Sequence, residues 1–367
     1  MKLLIFPFEM DTAKEMAIFA QELGINVLRG SSDPDFNSKK DDVLALPYIS
    51  ESDFSEHLEQ IIDQQEITHI FSPHVGVWTK LAELLNNEPS RFEFKLSKNF
   101  PFEFNAIRYQ SSIFNNGSTE TKPDIEHLDC FQTFQPKARL THFQKSALIH
   151  LFESIPGQCD RAKLDGLCDI FRVAPAGDIV EIGVLYGRSA CTMAWLADKY
   201  NIGSVVAIDP WCQSGIDDQG EAANILNRLA FQVDFEKIYK IFLTNAALFS
   251  NLSYLKETST TAVPIYEHAS QKGYLKALEL PQIDVKGKIA VLHIDGNHRY
   301  DMVKNDIEQW LPFVLPGGWV LLDDYCWKFG DGPKELGDQL IMETSLFDCS
   351  FCLGDTLYLR RSDSLMS

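Results

Sequence analysis

The chain has 367 residues, of which 45% are hydrophobic and 23% charged, and a formal net charge of -19. That length suits two domains of ordinary size better than one core, and the composition is that of a globular protein. The acidic balance argues against a surface for nucleic acid or anionic membrane, because phosphate contacts need Lys and Arg; small-molecule substrates or bound cations fit better. No run reaches the ~18 apolar residues of a membrane span, and the apolar part of MKLLIFPFEMD is too short for a signal peptide, so a cytoplasmic protein is expected.

In chain order, KLLIF (2–6) reads as a strand, 12–23 as a helix, 26–28 as a strand, 53–65 as a helix and THIFSP (68–73) as a strand. This alternation predicts a small parallel α/β domain over residues 1–95. Its first strand is followed by PFEMD and not by a glycine-rich phosphate loop. The segment resembles the small Rossmann-like domains that precede ATP-grasp domains. No ATP-grasp core follows, so the resemblance implies shape and not ATP use, and a structural or oligomerising role is expected. Residues 96–140 are mixed, with SIFNNGSTETKPD (112–124) reading as an exposed loop. A helix over HFQKSALIHLFES (142–154) opens a second domain, 141–367.

GDIVEIGVLYGRSACTMAWLADKY (177–200) reads as a strand, a glycine turn and a helix starting near Arg188. Gly183 and Gly187 let the backbone turn tightly and let a ligand lie against it. The helix start adds free N–H groups and a positive dipole end. The next strand, SVVAID, ends at Asp209, where an acid is placed to bind ribose hydroxyls. A dinucleotide fold requires GxGxxG, and this loop is GxxxG preceded by Glu181.

Two later apolar runs also end in acids. Val291 to Ile294 stops at Asp295, with His298 just beyond; Trp319 to Leu322 stops at Asp323 and Asp324. The helix and Pro-Gly-Gly turn between them make a strand–helix–strand unit, so the strands can be neighbours. Ligands of open parallel sheets bind beyond the carboxyl ends of strands. Three carboxylates there repel one another unless a divalent cation sits among them, and oxygen donors favour Mg²⁺, with Mn²⁺ or Ca²⁺ as substitutes.

The E-x-G-x-x-x-G loop with VVAID resembles motifs of class I S-adenosylmethionine-dependent methyltransferases. IDGNHRYDMVKNDIEQWLPFVLPGGWVLLDDY is similar to the metal-dependent small-molecule O-methyltransferases of the methyltransferase-24 and macrolide-sugar types, over roughly residues 175–330. The resemblance implies an α/β fold: a Rossmann-like, mostly parallel sheet with helices on both faces, beside the smaller N-terminal α/β domain. It implies S-adenosylmethionine contacts from Glu181, Gly183, Tyr186, Gly187, Ser189, Asp209, Ser270 and Asp295. It implies Mg²⁺, or another divalent cation, on Asp295, Asp323 and Asp324. His298 is then the general base, with Asp295 beside it in the catalytic set, since Asn297 stands where some relatives carry an acid.

The acceptor implied is a small molecule or sugar-like compound bearing hydroxyls, with no nucleic-acid or membrane partner, and the added α/β domain makes a homo-oligomer an expectation. Residues 212–265, polar at first, read as a lid. Trp211, Tyr325 and Trp327 are aromatics available to stack on a sugar ring, against the plainer reading of core packing. Cys349 and Cys352 form a CxxC in DCSFCLGDTLYLR, read as one strand; no second pair completes a zinc site, so the eight cysteines read as buried free thiols. The competing functions are a dinucleotide-dependent oxidoreductase or epimerase, and a module that binds S-adenosylmethionine or a glycan without turnover.

Overall fold

The computed structural model describes residues 1–37, 42–97, 112–113, 125, 128–132, 135–212, 234–326 and 332–363. The chain divides into two compact units, Met1–Asn115 and Asn116–Ser367.

In the first unit, β1 (Lys2–Ile5), β2 (Asn26–Ser31), β3 (Val43–Ala45), β4 (His69–Phe71) and β5 (Lys95–Leu96) form a parallel sheet in the order β3-β2-β1-β4-β5. The longer helices among the described residues are α1 (Asp11–Glu22), α2 (Phe54–Gln65) and α3 (Val75–Asn87). Their apolar residues fall at helical spacing. Phe54, Leu58 and Ile62 on α2, and Val77, Leu81 and Leu84 on α3, are the buried positions. They pack with Leu4, Phe6 and Ile70 of the sheet into one core. Neither β3 nor α3 was expected from sequence.

The second unit opens with α4 (His142–Ser154), whose N-terminus carries a reciprocal Thr141–Gln144 capping box. There follow α5 (Arg161–Ile170), β6 (Asp178–Ile182), α6 (Arg188–Lys199), β7 (Val205–Ile208), α7 (Phe235–Ala246), β8 (Leu252–Leu255) and α8 (Ser259–Lys272). A two-stranded ribbon of β9 (Tyr274–Leu275) and β10 (Ile283–Asp284) leads to β11 (Ile289–Ile294), α9 (Tyr300–Trp310), β12 (Val314–Leu322), α10 (Gly332–Met342), β13 (Phe347–Leu353) and β14 (Thr356–Arg361). Seven strands form one sheet in the order β13-β14-β12-β11-β6-β7-β8, with β14 antiparallel to both its neighbours. Every residue of β6 and β11 is buried, which is why β11 is apolar at all but one position.

The chain leaves β6 toward β7 and β8 on one side, then returns to place β11 on the other. The crevice between β6 and β11 is therefore the topological switch point, where open α/β sheets bind ligands.

Several expectations need correction. The Pro-Gly-Gly segment is not a free turn: β12 begins at Val314 and absorbs it as an irregularity, the register jumping from Ile289↔Val314 to Val291↔Trp319. DCSFCLGDTLYLR is two strands, β13 and β14, around Gly354 at φ 62°. Cys349 is disulfide-bonded rather than a free thiol, and Cys352 is exposed with its sulfur 3.7 Å from that of Cys326. Of the expected lid, 213–233 lies outside the described residues, and the remainder builds α7, β8 and the start of α8.

Candidate functional site

The glycine loop closes over the sheet as its spacing suggested. Gly183 has φ +83°, and a Cβ there would lie 2.0 Å from the carbonyl oxygen of Asp295. Only glycine permits this contact between the chain leaving β6 and the chain leaving β11. Gly187, at φ +87°, caps α6, and no side chain bonds the first turn of that helix. The start of α6 thus has no side-chain cap, and a helix start of this kind can accommodate a polar or anionic group. Tyr186 is half-buried, and its carbonyl accepts from the Asn245 amide at 3.0 Å.

Asp209 lies at the end of β7 beside this loop. One carboxylate oxygen accepts from the N–H groups of Val184 (2.8 Å) and Leu185 (3.0 Å), and the other from that of Trp211 (2.7 Å). Burial pushes its carboxyl up, and these three donors partly offset the shift. Asp209 therefore fixes the loop's shape as well as facing it. Glu181 and Ser189 lie beneath. Glu181 is fully buried and accepts from the Ser189 hydroxyl and from Nδ1 of His293 at 2.8 Å. Glu181 and His293 are register partners on β6 and β11, so each buried polar side chain has the other as its neighbour. Oε2 of Glu181 and Nε2 of His293 are buried with no hydrogen-bond partner among the described residues. An open helix start, a glycine cradle and an unpaired buried carboxylate oxygen fit a ligand with a polar, cationic amino-acid end.

Ser270 is not brought to this place. It sits at the C-terminal end of α8 against Gly287, before β11 begins, so it lies at the N-terminal ends of the strands, away from the glycine loop. Its hydroxyl is satisfied by the Glu267 carbonyl at 2.8 Å. Trp211 is a core residue, 3% exposed and stacked on Phe242 at 4.7 Å, while the Tyr325 hydroxyl donates to Asp338 at 2.5 Å. Trp327 lies outside the described residues.

The strand-end acids do converge. β11 and β12 pair in parallel, so Asp295 and Asp323 leave neighbouring strands at the same level. Oxygens of Asp295 and Asp324 and a nitrogen of His298 lie within 4.8 Å of one another, as do ligand atoms of His293, Asp295 and Asp323. Nε2 of His298 is 2.7 Å from Asp324. Asp324 has φ 55°, a left-handed conformation uncommon outside glycine. Such carboxylates suit a hard divalent ion, which needs only one or two of them.

Sequence reasoning missed Lys163. Its side chain, 2% exposed, rises from α5 and ends at the cluster, donating to Asp323 and, at 3.3 Å, to Asp295. The second oxygen of Asp323 accepts from the Thr356 hydroxyl of β14. Burial works against the charge on Lys163, but Asp295 and Asp323 outweigh it and keep it an ammonium. Burial and the adjacent Asp323 push the Asp295 carboxyl well up. At Asp323, Lys163 and His293 overcome burial and hold the carboxyl below the usual range. Neither RAKLDGLCDI nor GDTLYLR carries a motif that would have flagged Lys163 or Thr356. A cavity lined by Asp160, Lys163, Asp323, Asp324, Asp355 and Thr356 opens beside the cluster.

Residues 180–325 match the family model of the methyltransferase-24 type, described as a methyltransferase domain. An uncharacterised protein of Acanthamoeba polyphaga mimivirus is 24% identical over 192 residues, 52% of this chain and 70% of that protein. Among solved structures, the O-methyltransferase NovP aligns at 17% identity and TM-score 0.38, over 69% of this chain and 99% of that one. A caffeoyl-CoA O-methyltransferase assigned by similarity in Staphylococcus aureus aligns at 15% and 0.38, over 59% and 90%. Structural scores of this size carry no weight by themselves. The family match falls on the segment that runs from the glycine loop to the paired acids. The segment 180–325 is therefore similar to the methyltransferase domains of the methyltransferase-24 type.

Proposed function

We propose that the protein transfers the methyl group of S-adenosylmethionine to a hydroxyl oxygen of a small, sugar-like acceptor, at a centre assisted by a divalent cation. The observation that carries this reading is the meeting of the glycine loop and the acid cluster at one switch point, where Gly183 touches the backbone of Asp295. S-adenosylmethionine, when bound, supplies an electrophilic methyl group, and a cation among the strand-end carboxylates, when bound, lowers the pKa of a hydroxyl beside it.

The chain's own residues supply the rest. The loop from Gly183 to Gly187 and the start of α6 hold the cofactor's amino-acid end, and Glu181 stands behind them with one unpaired oxygen. Asp295 and Asp324 present oxygens to the cation. His298 takes the acceptor's proton. Asp324, 2.7 Å from it, orients the imidazole and stabilises the charge it gains. The acidic cavity beyond receives the acceptor. The first unit, with its own sheet and core, serves a structural or oligomerising role.

The test is thermal melting with S-adenosylhomocysteine, with Mg²⁺ added and omitted, and with NAD⁺ as comparator. A ligand at 100 times its Kd adds about 2.7 kcal/mol, which is readily seen. His298→Ala should retain that shift and lose roughly 10²–10⁴-fold in turnover with hydroxylated acceptors. A shift with NAD⁺ and none with S-adenosylhomocysteine would sink the reading in favour of an oxidoreductase.

A further inference from the structure

We propose that Lys163 is a built-in counter-ion that takes Asp323 out of the cation's ligand set, so that a divalent ion is held by Asp295 and Asp324. The proposal rests on the cation-assisted reading above and departs from the three-carboxylate site expected from sequence.

Lys163 lies on α5, before the segment that matches the methyltransferase family. Its ammonium reaches Asp323 and Asp295 from the buried side of the cluster. Both oxygens of Asp323 are engaged, one by Lys163 and the other by the Thr356 hydroxyl. The Asp323 side chain is also the least exposed of the three acids, at 12% against 27% for Asp295 and 25% for Asp324. Asp323 lines the cavity beside Asp324, but an ion arriving there finds both Asp323 oxygens already engaged by donors. To bind Asp323 it would have to displace a buried ammonium with the same sign of charge, leaving that ammonium only its longer contact to Asp295, which is unfavourable.

Two carboxylates with water or acceptor oxygens complete the usual site for a small divalent ion. The positive charge of Lys163 makes that site weaker, and more easily left, than three free carboxylates would make it. Its contact to Asp295 also fixes one of the two carboxylates left to the ion, so Lys163 acts as a positioning residue. His293, whose Nε2 lies 4.0 Å from Asp295 on the same inner side, adds a second neighbour that is not acidic.

The experiment measures Mn²⁺ affinity of the full-length protein from the electron paramagnetic resonance signal of free Mn²⁺. Asp324→Asn should weaken binding by about tenfold or more, while Asp323→Asn leaves it nearly unchanged. Lys163→Met should release Asp323 as a third ligand, tighten Mn²⁺ binding and make the melting temperature depend on the ion; Lys163→Arg should behave as the wild type. Equal weakening by Asp323→Asn and Asp324→Asn overturns the proposal, as does unchanged Mn²⁺ affinity in a folded Lys163→Met. If Lys163→Met does not fold, the comparison of the two Asp variants decides alone. S-adenosylhomocysteine binding by the same samples separates the two levels. Retained binding with no Mn²⁺ uptake by the wild type removes this proposal and the cation, whereas loss of both removes the methyltransferase reading itself.

Discussion

Gly183 and Asp295 form the narrowest contact of the centre, and the constraint is steric. A methyl group on Gly183 would sit 2.0 Å from the Asp295 carbonyl, at a φ of +83° that L side chains rarely adopt. Gly183→Ala must therefore push β6 and β11 apart at their ends. We expect a destabilisation of about 2–4 kcal/mol, read by urea unfolding, together with loss of the S-adenosylhomocysteine shift. A variant that melts and binds like the wild type would show that the two strand ends are not locked at this point. Other residues carry their role less visibly. Asp209 was expected as a ribose acceptor, and in the structure its carboxylate is engaged by three backbone N–H groups that hold the loop. Ser270 was placed by resemblance, and α8 carries it to the N-terminal ends of the strands, away from the glycine loop.

Among the elements, the strand–helix–strand unit β11–α9–β12 aligns the acids, and its helix contains a destabilising group. Asp306, on the buried face of α9, is 4% exposed and accepts from the Ser259 hydroxyl at the start of α8. Burial raises its carboxyl from 3.8 to about 6. A raised folded-state value means that the native state binds more protons than the unfolded chain between these limits. Its contribution to stability is fully present below 3.8 and is lost as pH rises through about 6. Asp306→Asn keeps an acceptor for Ser259 and cannot ionise. It should be more stable than the wild type at pH 7.5, by about 3 kcal/mol, and by much less at pH 4.5. Equal gains at both values would mean that Asp306 ionises without cost.

At the scale of the whole molecule, each unit has its own core. Leu4, Phe54 and Leu81 belong to the first, and Val180, Leu292 and Trp310 to the second. Domains so built generally unfold as separate cooperative units. Calorimetry should resolve two transitions, and S-adenosylhomocysteine should raise only one of them. A single transition moved as a whole would show that the units unfold together. No helix among the described residues is long and apolar enough to cross a membrane.

The sequence by itself determined the alternation of strands and helices, the glycine loop, and the acids at two strand ends. These are local properties. Burial on both faces makes a strand uniformly apolar, a tight turn requires glycine, and a strand's end is marked where polar residues begin. It also allowed Asp295 and Asp323 to be neighbours, because a crossover helix can join an adjacent parallel pair, and the pairing of β11 with β12 made them so. Only the tertiary structure decided what surrounds those acids. Lys163 and Thr356 come from α5 and β14, distant in sequence and without a motif, and a buried ion pair leaves no periodic signal in the chain. The pairing of Glu181 with His293 depends on the register of β6 and β11. The hairpin of β13 and β14 and the irregularity at Pro-Gly-Gly were likewise settled by pairing across the sheet, which local propensity does not encode.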